Sequence, residues 1–349
     1  MKKSKKIVLS ILCTSAVLLI VIASALAYFT STAIVKTEAD ENLSKWMSYI
    51  KDETLLKSVV IPGSHDAGSK GMMWLTKTQN KDIKEQLADG VRYFDIRIQK
   101  DGDDFAAFHG PSRGLKADDI FRDIRDFISV NSTETLILDF QHFKGESEAD
   151  VIKFIDGYLS ESVLRNNTEK DDVTFVDELT LGEARGKCLV FWGTEKGNHH
   201  LANDFVFLRN NDDGTRQGSA LHSYYDYDLN ILSPKNYIKR AVPNYIERYK
   251  KDGKGLFVLQ GQLTDGFPIL NHKVKTTVMG PQFQEARMQY LMSRCVITLK
   301  DSADLKYINI IMRDFLNVTK SKEIISLNYY KNNVKSGLDG AFRTHFFAS

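Results

Sequence analysis

Short apolar runs alternate with stretches whose apolar residues recur at helical spacing, and this alternation narrows the possible folds more than any other feature. The runs that read as strands are KSVVIPG (57–63), GVRYFDIRI (90–98), FAAFHG (105–110), ETLILDFQHF (134–143), KCLVFWG (187–193), GLFVLQGQL (255–263) and YINIIMRDF (307–315). Between them lie NKDIKEQLADG, ADDIFRDIRDFISV, EADVIKFIDGYLS and PKNYIKRAVPNYIERYKK, with apolar residues three and four apart. Short strands separated by helices pair in parallel, because the crossover helix brings each strand back in the same direction. No repeat, low-complexity tract or proline-rich linker divides the pattern, and 349 residues at 42% hydrophobic content supply one large core. The expected fold is α/β: a (β/α)8 TIM-like barrel, distorted or incompletely closed, over residues 51–349 with a C-terminal extension.

The first residues carry a different signal. MKKSKK is basic, and residues 7–29 are free of charge, long enough for the ~20 residues of a membrane span. The run ends in Ala25-Leu26-Ala27, a pattern suited to signal-peptide cleavage. Residues 1–29 therefore read as a signal peptide or an N-terminal anchor, and residues 30–50 as a linker with a short helix containing Trp46. Either reading exports the rest of the chain, to the cell surface or beyond. Net charge is +2 with Lys2, Lys3, Lys5 and Lys6 included, which leaves no footprint for a nucleic-acid partner. Cys188 and Cys295 lie in apolar runs; a disulfide between them is conceivable, and two buried free thiols suit the runs better.

Several strand candidates end in polar residues: His65 and Asp66 after the first, Arg97 late in the second, His109 after the third, Asp314 at the last. In a barrel of parallel strands all these ends meet at one mouth. Two histidines there suit general acid and base roles, since a pKa near ~6.5 lets one donate while the other accepts. An arginine can clamp a phosphate through two parallel N–H bonds. An aspartate beside a histidine fixes its tautomer and stabilises the imidazolium. Singly each feature has a plainer reading. His65-Asp66 after Pro62-Gly63 fits a turn, Arg97 fits a salt bridge with Asp95, and His109 fits a loop-side histidine.

The order of the segments adds to this. IPGSHDAG, TQNKDIKEQLADGVRYFDIRI, FAAFHGP, ETLILDFQHF, LGEARGKCLVFW and INIIMRDFLN together resemble the X-domain family of phosphatidylinositol-specific phospholipases C. The resemblance is to its single-domain bacterial enzymes and animal X-domain-only proteins. It implies that His65 is the general base acting on the inositol 2-hydroxyl, with Asp314 orienting it. Arg97 would neutralise the non-bridging phosphate oxygens, and His109, assisted by Asp66, would protonate the departing diacylglycerol oxygen. The implied first product is inositol 1,2-cyclic phosphate. Family members that use Ca²⁺ carry a carboxylate at the Arg97 position, because Ca²⁺ takes six to eight oxygen ligands; an arginine implies an enzyme with no metal and no other cofactor. Asp95 would hold Arg97 in place.

Headgroup recognition is less clearly written. Bacterial members place a lysine on the fourth strand where this sequence has Gln141, and an arginine after the fifth, where Gly193 falls. Asp226, in YYDYD, only loosely echoes a further family element. The substrate-side candidates are thus Asp95, Gln141 and Asp226. His142 could line or brace the mouth. His199, His200 and His222 lie in polar, loop-like sequence that suggests the surface, without zinc-site spacing. Met72, Met73, Trp74 and Leu75 follow the His65-Asp66 pair directly and suggest an apolar rim that enters a bilayer interface, although such a cluster can equally pack as core. The expected partner is membrane phospholipid, met by a monomer at the membrane surface. Two other functions stay open: a silent lipid- or inositol-binding module on the same barrel, and a metal-dependent glycerophosphodiesterase-like barrel.

Overall fold

The computed structural model describes residues 42–145, 148–193, 204–264 and 280–347. Ten strands are found among them: β1 Ile61–Ser64, β2 Tyr93–Asp101, β3 Asp104–His109, β4 Ser112–Lys116, β5 Leu136–Lys144, β6 Cys188–Trp192, β7 Val206–Leu208, β8 Leu221–Ser223, β9 Leu256–Gln260 and β10 Ile310–Arg313. Eight of them form the order β7-β6-β5-β2-β1-β10-β9-β8, and every ladder on that path is parallel. The two end strands, β7 and β8, meet without a ladder. An isolated bridge between Arg209 and Leu221 and two backbone bonds, Ala220 N to Leu208 O (2.8 Å) and Asn210 N to Leu221 O (2.9 Å), hold that seam. The barrel is nearly closed, with one unsealed seam, as the sequence suggests.

Alternation along the strands sorts the core into two layers. Ile61, Tyr93, Ile137, Leu189, Phe191, Leu256, Val258, Ile310 and Met312 belong to one buried cluster, which fills the barrel. Their strand neighbours Val60, Phe94, Leu136, Leu138, Val190, Phe257, Leu259 and Ile311 belong to another, which faces the surrounding helices. In the helix Ala117–Val130 the buried residues are Ala117, Ile120, Phe121, Ile124 and Ile128, a stripe three to four residues apart that lies on the outer layer. The segment expected as linker and short helix does contain a 3-10 helix, Trp46–Tyr49. Its residues Leu43, Trp46, Met47 and Ile50 are fully buried core, and the Trp46 indole donates to Gly90 O at 2.9 Å beside the start of β2.

One strand departs from the expected direction. β3 runs antiparallel to β2 and continues into β4, so 105–110 belongs to a hairpin that leaves the barrel wall. Only Gly102 and Asp103 separate β2 from β3, and Gly102 takes φ +67. A turn that short cannot hold the dozen or more residues of a parallel crossover. Cys188 and Cys295 are both free thiols. Among the described residues no helix is long and apolar enough to cross a membrane; the apolar run 7–29 lies outside them, as do His199 and His200.

Candidate active site

β1 and β10 pair side by side, from Ile61 opposite Ile310 to Ser64 opposite Arg313. The next residue on each strand is a titratable one, His65 and Asp314, and the ladder sets them next to each other. The His65 Nδ1 lies 2.7 Å from Asp314 Oδ1. A carboxylate at Nδ1 keeps the proton there, so Nε2 is the nitrogen left to accept one. Nε2 faces Asp66 Oδ2 at 3.5 Å and Asp95 Oδ2 at 3.9 Å.

Asp66 is the hub of the cluster. It adopts φ +43, an uncommon conformation that aspartate tolerates better than most residues, and its N–H donates to Asp95 Oδ2 at 3.2 Å. Its carboxylate pairs with Arg97 Nε at 2.6 Å through Oδ1 and with His109 Nδ1 at 3.0 Å through Oδ2. Arg97 reaches this point because the β2–β5 register shifts between Ile96 and Arg97; such bulges re-aim side chains. His109 arrives from the hairpin, where Leu115 N donates to Gly68 O at 2.9 Å. At Gly114 a Cβ would sit 2.1 Å from Gly68 O, so only glycine lets the hairpin lie this close.

Charge and burial set the protonation states. Burial alone would lower the His65 pKa, but Asp66, Asp314 and Asp95 outweigh it and raise it to about 9. Asp66 feels the opposite balance: burial would raise its pKa, while Arg97, His65 and His109 hold the carboxyl well below its usual range. Burial pushes Asp314 up, against the pull of His65. It also pushes Asp95 up, with Arg97 opposing and Asp66 adding. These groups open into a cavity of about 620 Å³ lined by His65, Asp95, Arg97, His109, Gln141 and Asp314, among others.

Residues 54–193 match the family model for phosphatidylinositol-specific phospholipase C, X domain. Over those residues the chain is similar to the X domain of that family. A 1-phosphatidylinositol phosphodiesterase of Listeria monocytogenes (serovar 1/2a, strain EGD-e) is 26% identical over 298 residues, spanning 82% of this chain and 85% of that protein. One from Staphylococcus aureus (strain Newman) is 26% identical over 230 residues, 58% of this chain and 73% of that protein. The solved phosphatidylinositol-specific phospholipase C from Listeria monocytogenes superposes with a TM-score of 0.64 at 21% identity, covering 82% of this chain and 99% of its own. That superposition supports the barrel fold.

At the mouth of this barrel, His65, Asp66, Arg97, His109, Asp95 and Asp314 come together. Gln141 lines the cavity, and its Nε2 donates to Asp139 Oδ2 at 3.1 Å. Asp226 does not join them. It caps the short helix Tyr227–Asn230 by accepting from Leu229 N at 3.2 Å, while its neighbour Tyr225 and Asp212 line the cavity instead. Met72 is also misplaced by the sequence reading: it is 6% exposed and belongs to the core. Met73 and Trp74 are 50% and 42% exposed, and Met73 and Leu75 line the cavity mouth. His222, expected at the surface, is buried on β8 near Tyr224 and Tyr249.

Sequence reasoning misses Asp139 and Arg209. Asp139 is fully buried and accepts from Tyr93 Oη at 2.7 Å, with Arg209 Nε at 3.0 Å. Arg209 follows β7 and lies against Gly193, where a Cβ would be 2.9 Å from Arg209 Cδ. An arginine thus does stand beside Gly193, supplied by the next strand; the apolar run FVFLRN is its only trace in the sequence. The cluster His65, Asp66 and Asp95 places three possible ligand atoms within 4.8 Å of one another. Arg97 already occupies the Asp66 carboxylate as a fixed cation, which opposes a second one.

Proposed function

We propose that this protein is an exported phosphodiesterase that cleaves phosphatidylinositol, or a related inositol phospholipid, to diacylglycerol and inositol 1,2-cyclic phosphate, without a metal ion. The observation that carries the reading is one carboxylate, Asp66, held between Arg97 and His109 while His65, paired to Asp314, faces it across the mouth. In its neutral form, the fraction of which grows as pH rises toward 9, His65 takes the proton of the inositol 2-hydroxyl at Nε2. The hydroxyl oxygen forms its bond to phosphorus as the phosphorus–glycerol oxygen bond breaks. Arg97 neutralises the non-bridging oxygens, and His109 gives its proton to the departing diacylglycerol oxygen. Because the attacking group is already attached to the substrate, no second reactant need be ordered. Water then opens the ring with the two histidines in exchanged roles.

The cavity of about 620 Å³ lies in the range of small-molecule sites, and its Gln141, Asp212 and Tyr225 offer hydrogen bonds suited to a polyhydroxylated ring. The exposed Met73 and Trp74 beside the mouth support docking on a lipid surface. The uncharged run 7–29 supports export. Incubation with phosphatidylinositol vesicles in excess EDTA tests the reading. Diacylglycerol release supports it; vesicle binding without turnover indicates a silent module, and turnover that needs added metal indicates a metal-dependent barrel.

A further inference from the structure

The ladder between β1 and β10 stops just where the base and its orienting carboxylate begin. One buried side chain spans the gap. Gln79, 1% exposed, donates through Nε2 to His65 O at 3.0 Å and to Arg313 O at 3.1 Å, and its Oε1 accepts from Leu316 N at 3.1 Å. A single amide thereby ties the backbone of His65 to the backbone on both sides of Asp314. We infer that Gln79 is a positioning residue that sets the spacing of His65 against Asp314.

The residues around Gln79 act on the same two strand ends. Thr78 Oγ1 donates to His65 O at 2.9 Å, and Thr78 O accepts from Phe315 N at 2.7 Å. Phe315 takes φ +46, a left-handed conformation that a bulky side chain adopts only under constraint. Lys320 supplies part of that constraint, donating to Asp314 O at 3.0 Å and Phe315 O at 2.6 Å while paired with Glu285 at 2.8 Å. Gln79 is itself held by Ser69, whose Oγ accepts from Gln79 N at 2.9 Å. The bend that aims Asp314 is therefore fixed from one side by Lys320 and from the other by Gln79. Of these two, only Gln79 reaches across to the histidine.

Loss of this clamp should not unfold the chain. His65 O keeps Thr78 Oγ1 as a donor, and Arg313 O keeps His65 N at 3.3 Å. What changes is the freedom of two strand ends whose side chains must meet within hydrogen-bond distance, and a misplacement of about 1 Å there costs on the order of 100-fold in rate.

The inference rests on the acid–base role proposed above for His65, but one readout needs no turnover. In the full-length protein, Gln79→Met keeps the volume and removes all three bonds. The expected result is a fall in kcat of about 10- to 100-fold on a water-soluble inositol phosphodiester, with KM within about twofold. NMR titration of the His65 ring should move in step. Asp66, Asp95 and Asp314 face this ring, with Arg97 and His109 beyond Asp66 and Lys320 and Glu285 behind Asp314. As Asp314 slips from Nδ1, the His65 pKa should fall from about 9 toward 6.5. Gln79→Asn, which keeps an amide but draws it back by one methylene, is the second variant should the first fail to fold; the same two changes are expected in weaker form. A folded variant in which His65 titrates as in the wild type overturns the inference, whatever happens to kcat. If the wild type shows no turnover while the variant shifts the His65 titration, the clamp stands and the proposed reaction falls.

Discussion

Replacing Asp314 with asparagine removes one charge from a buried pair at nearly constant shape. Asp314 is 2% exposed and lies 2.7 Å from His65 Nδ1. Together with Asp66 and Asp95 it lifts the His65 pKa from 6.5 to about 9 against the effect of burial, a net span worth about 3 kcal/mol. Asp314 is the only one of the three bonded to Nδ1, so its loss should lower the His65 pKa by about one pH unit or more. That change works in two directions. A lower pKa leaves more of the ring deprotonated near neutral pH, which favours a base. Loss of the carboxylate frees the ring to take the other tautomer and removes the charge that stabilises the imidazolium, which costs about 10²- to 10⁴-fold. The second effect is the larger, so kcat on a water-soluble inositol phosphodiester should drop by two to four orders of magnitude, as these effects allow, while the acidic limb of the kcat/KM profile moves to lower pH. A variant that keeps activity within about threefold of wild type from pH 5 to 9 would show that Asp314 does not orient the base.

Arg97→Asp should lose most activity in EDTA and regain part of it with Ca²⁺, because a carboxylate there completes the acidic cluster with Asp66 and Asp95; wild type that is inactive in chelator and restored by Ca²⁺ contradicts the role proposed for Arg97. Trp74→Ala should weaken vesicle binding and membrane-substrate turnover while sparing the soluble phosphodiester, and equal losses on both would assign Trp74 a packing role instead. Stability should also report the His65 cluster. Its folded pKa of about 9 exceeds the unfolded 6.5, so its contribution is complete below pH 6.5 and disappears as pH rises through 9. Denaturant titrations of the wild type should show that loss and those of His65→Ala should not; parallel curves would mean that the cluster does not couple to folding.

The fold and the site were legible to different depths. Repeated apolar runs such as LILDF and CLVFW, fully buried in β5 and β6, made the parallel barrel readable, because strands covered on both faces lack polar alternation. β7 and β8 were not readable: each is three residues long, too short for periodicity to show. That gap also concealed Arg209. His65, Asp66 and Asp314 were legible since they follow apolar runs at the mouth, and Arg97 since it falls late in one. His109 was found for a partly mistaken reason, as it reaches the site on an antiparallel hairpin fixed by the turn at Gly102 and by the Gly68–Gly114 contact. Asp226 and Met72 show the reverse error. Asp226 caps the helix that follows it and Met72 packs against the hairpin at Gly114, and composition alone does not separate such roles from a functional one.

Phosphorus NMR of the reaction in excess EDTA tests the central claim most directly, since it follows the phosphorus through each bond change. With wild-type protein and phosphatidylinositol, the proposed mechanism predicts a cyclic phosphate resonance that grows first and an acyclic monoester that follows from it. His65→Ala and His109→Ala should each suppress the cyclic resonance by at least about 10²-fold. Appearance of the acyclic monoester from the outset, with no cyclic intermediate, would contradict attack by the substrate's own hydroxyl and with it the acid and base roles of the two histidines.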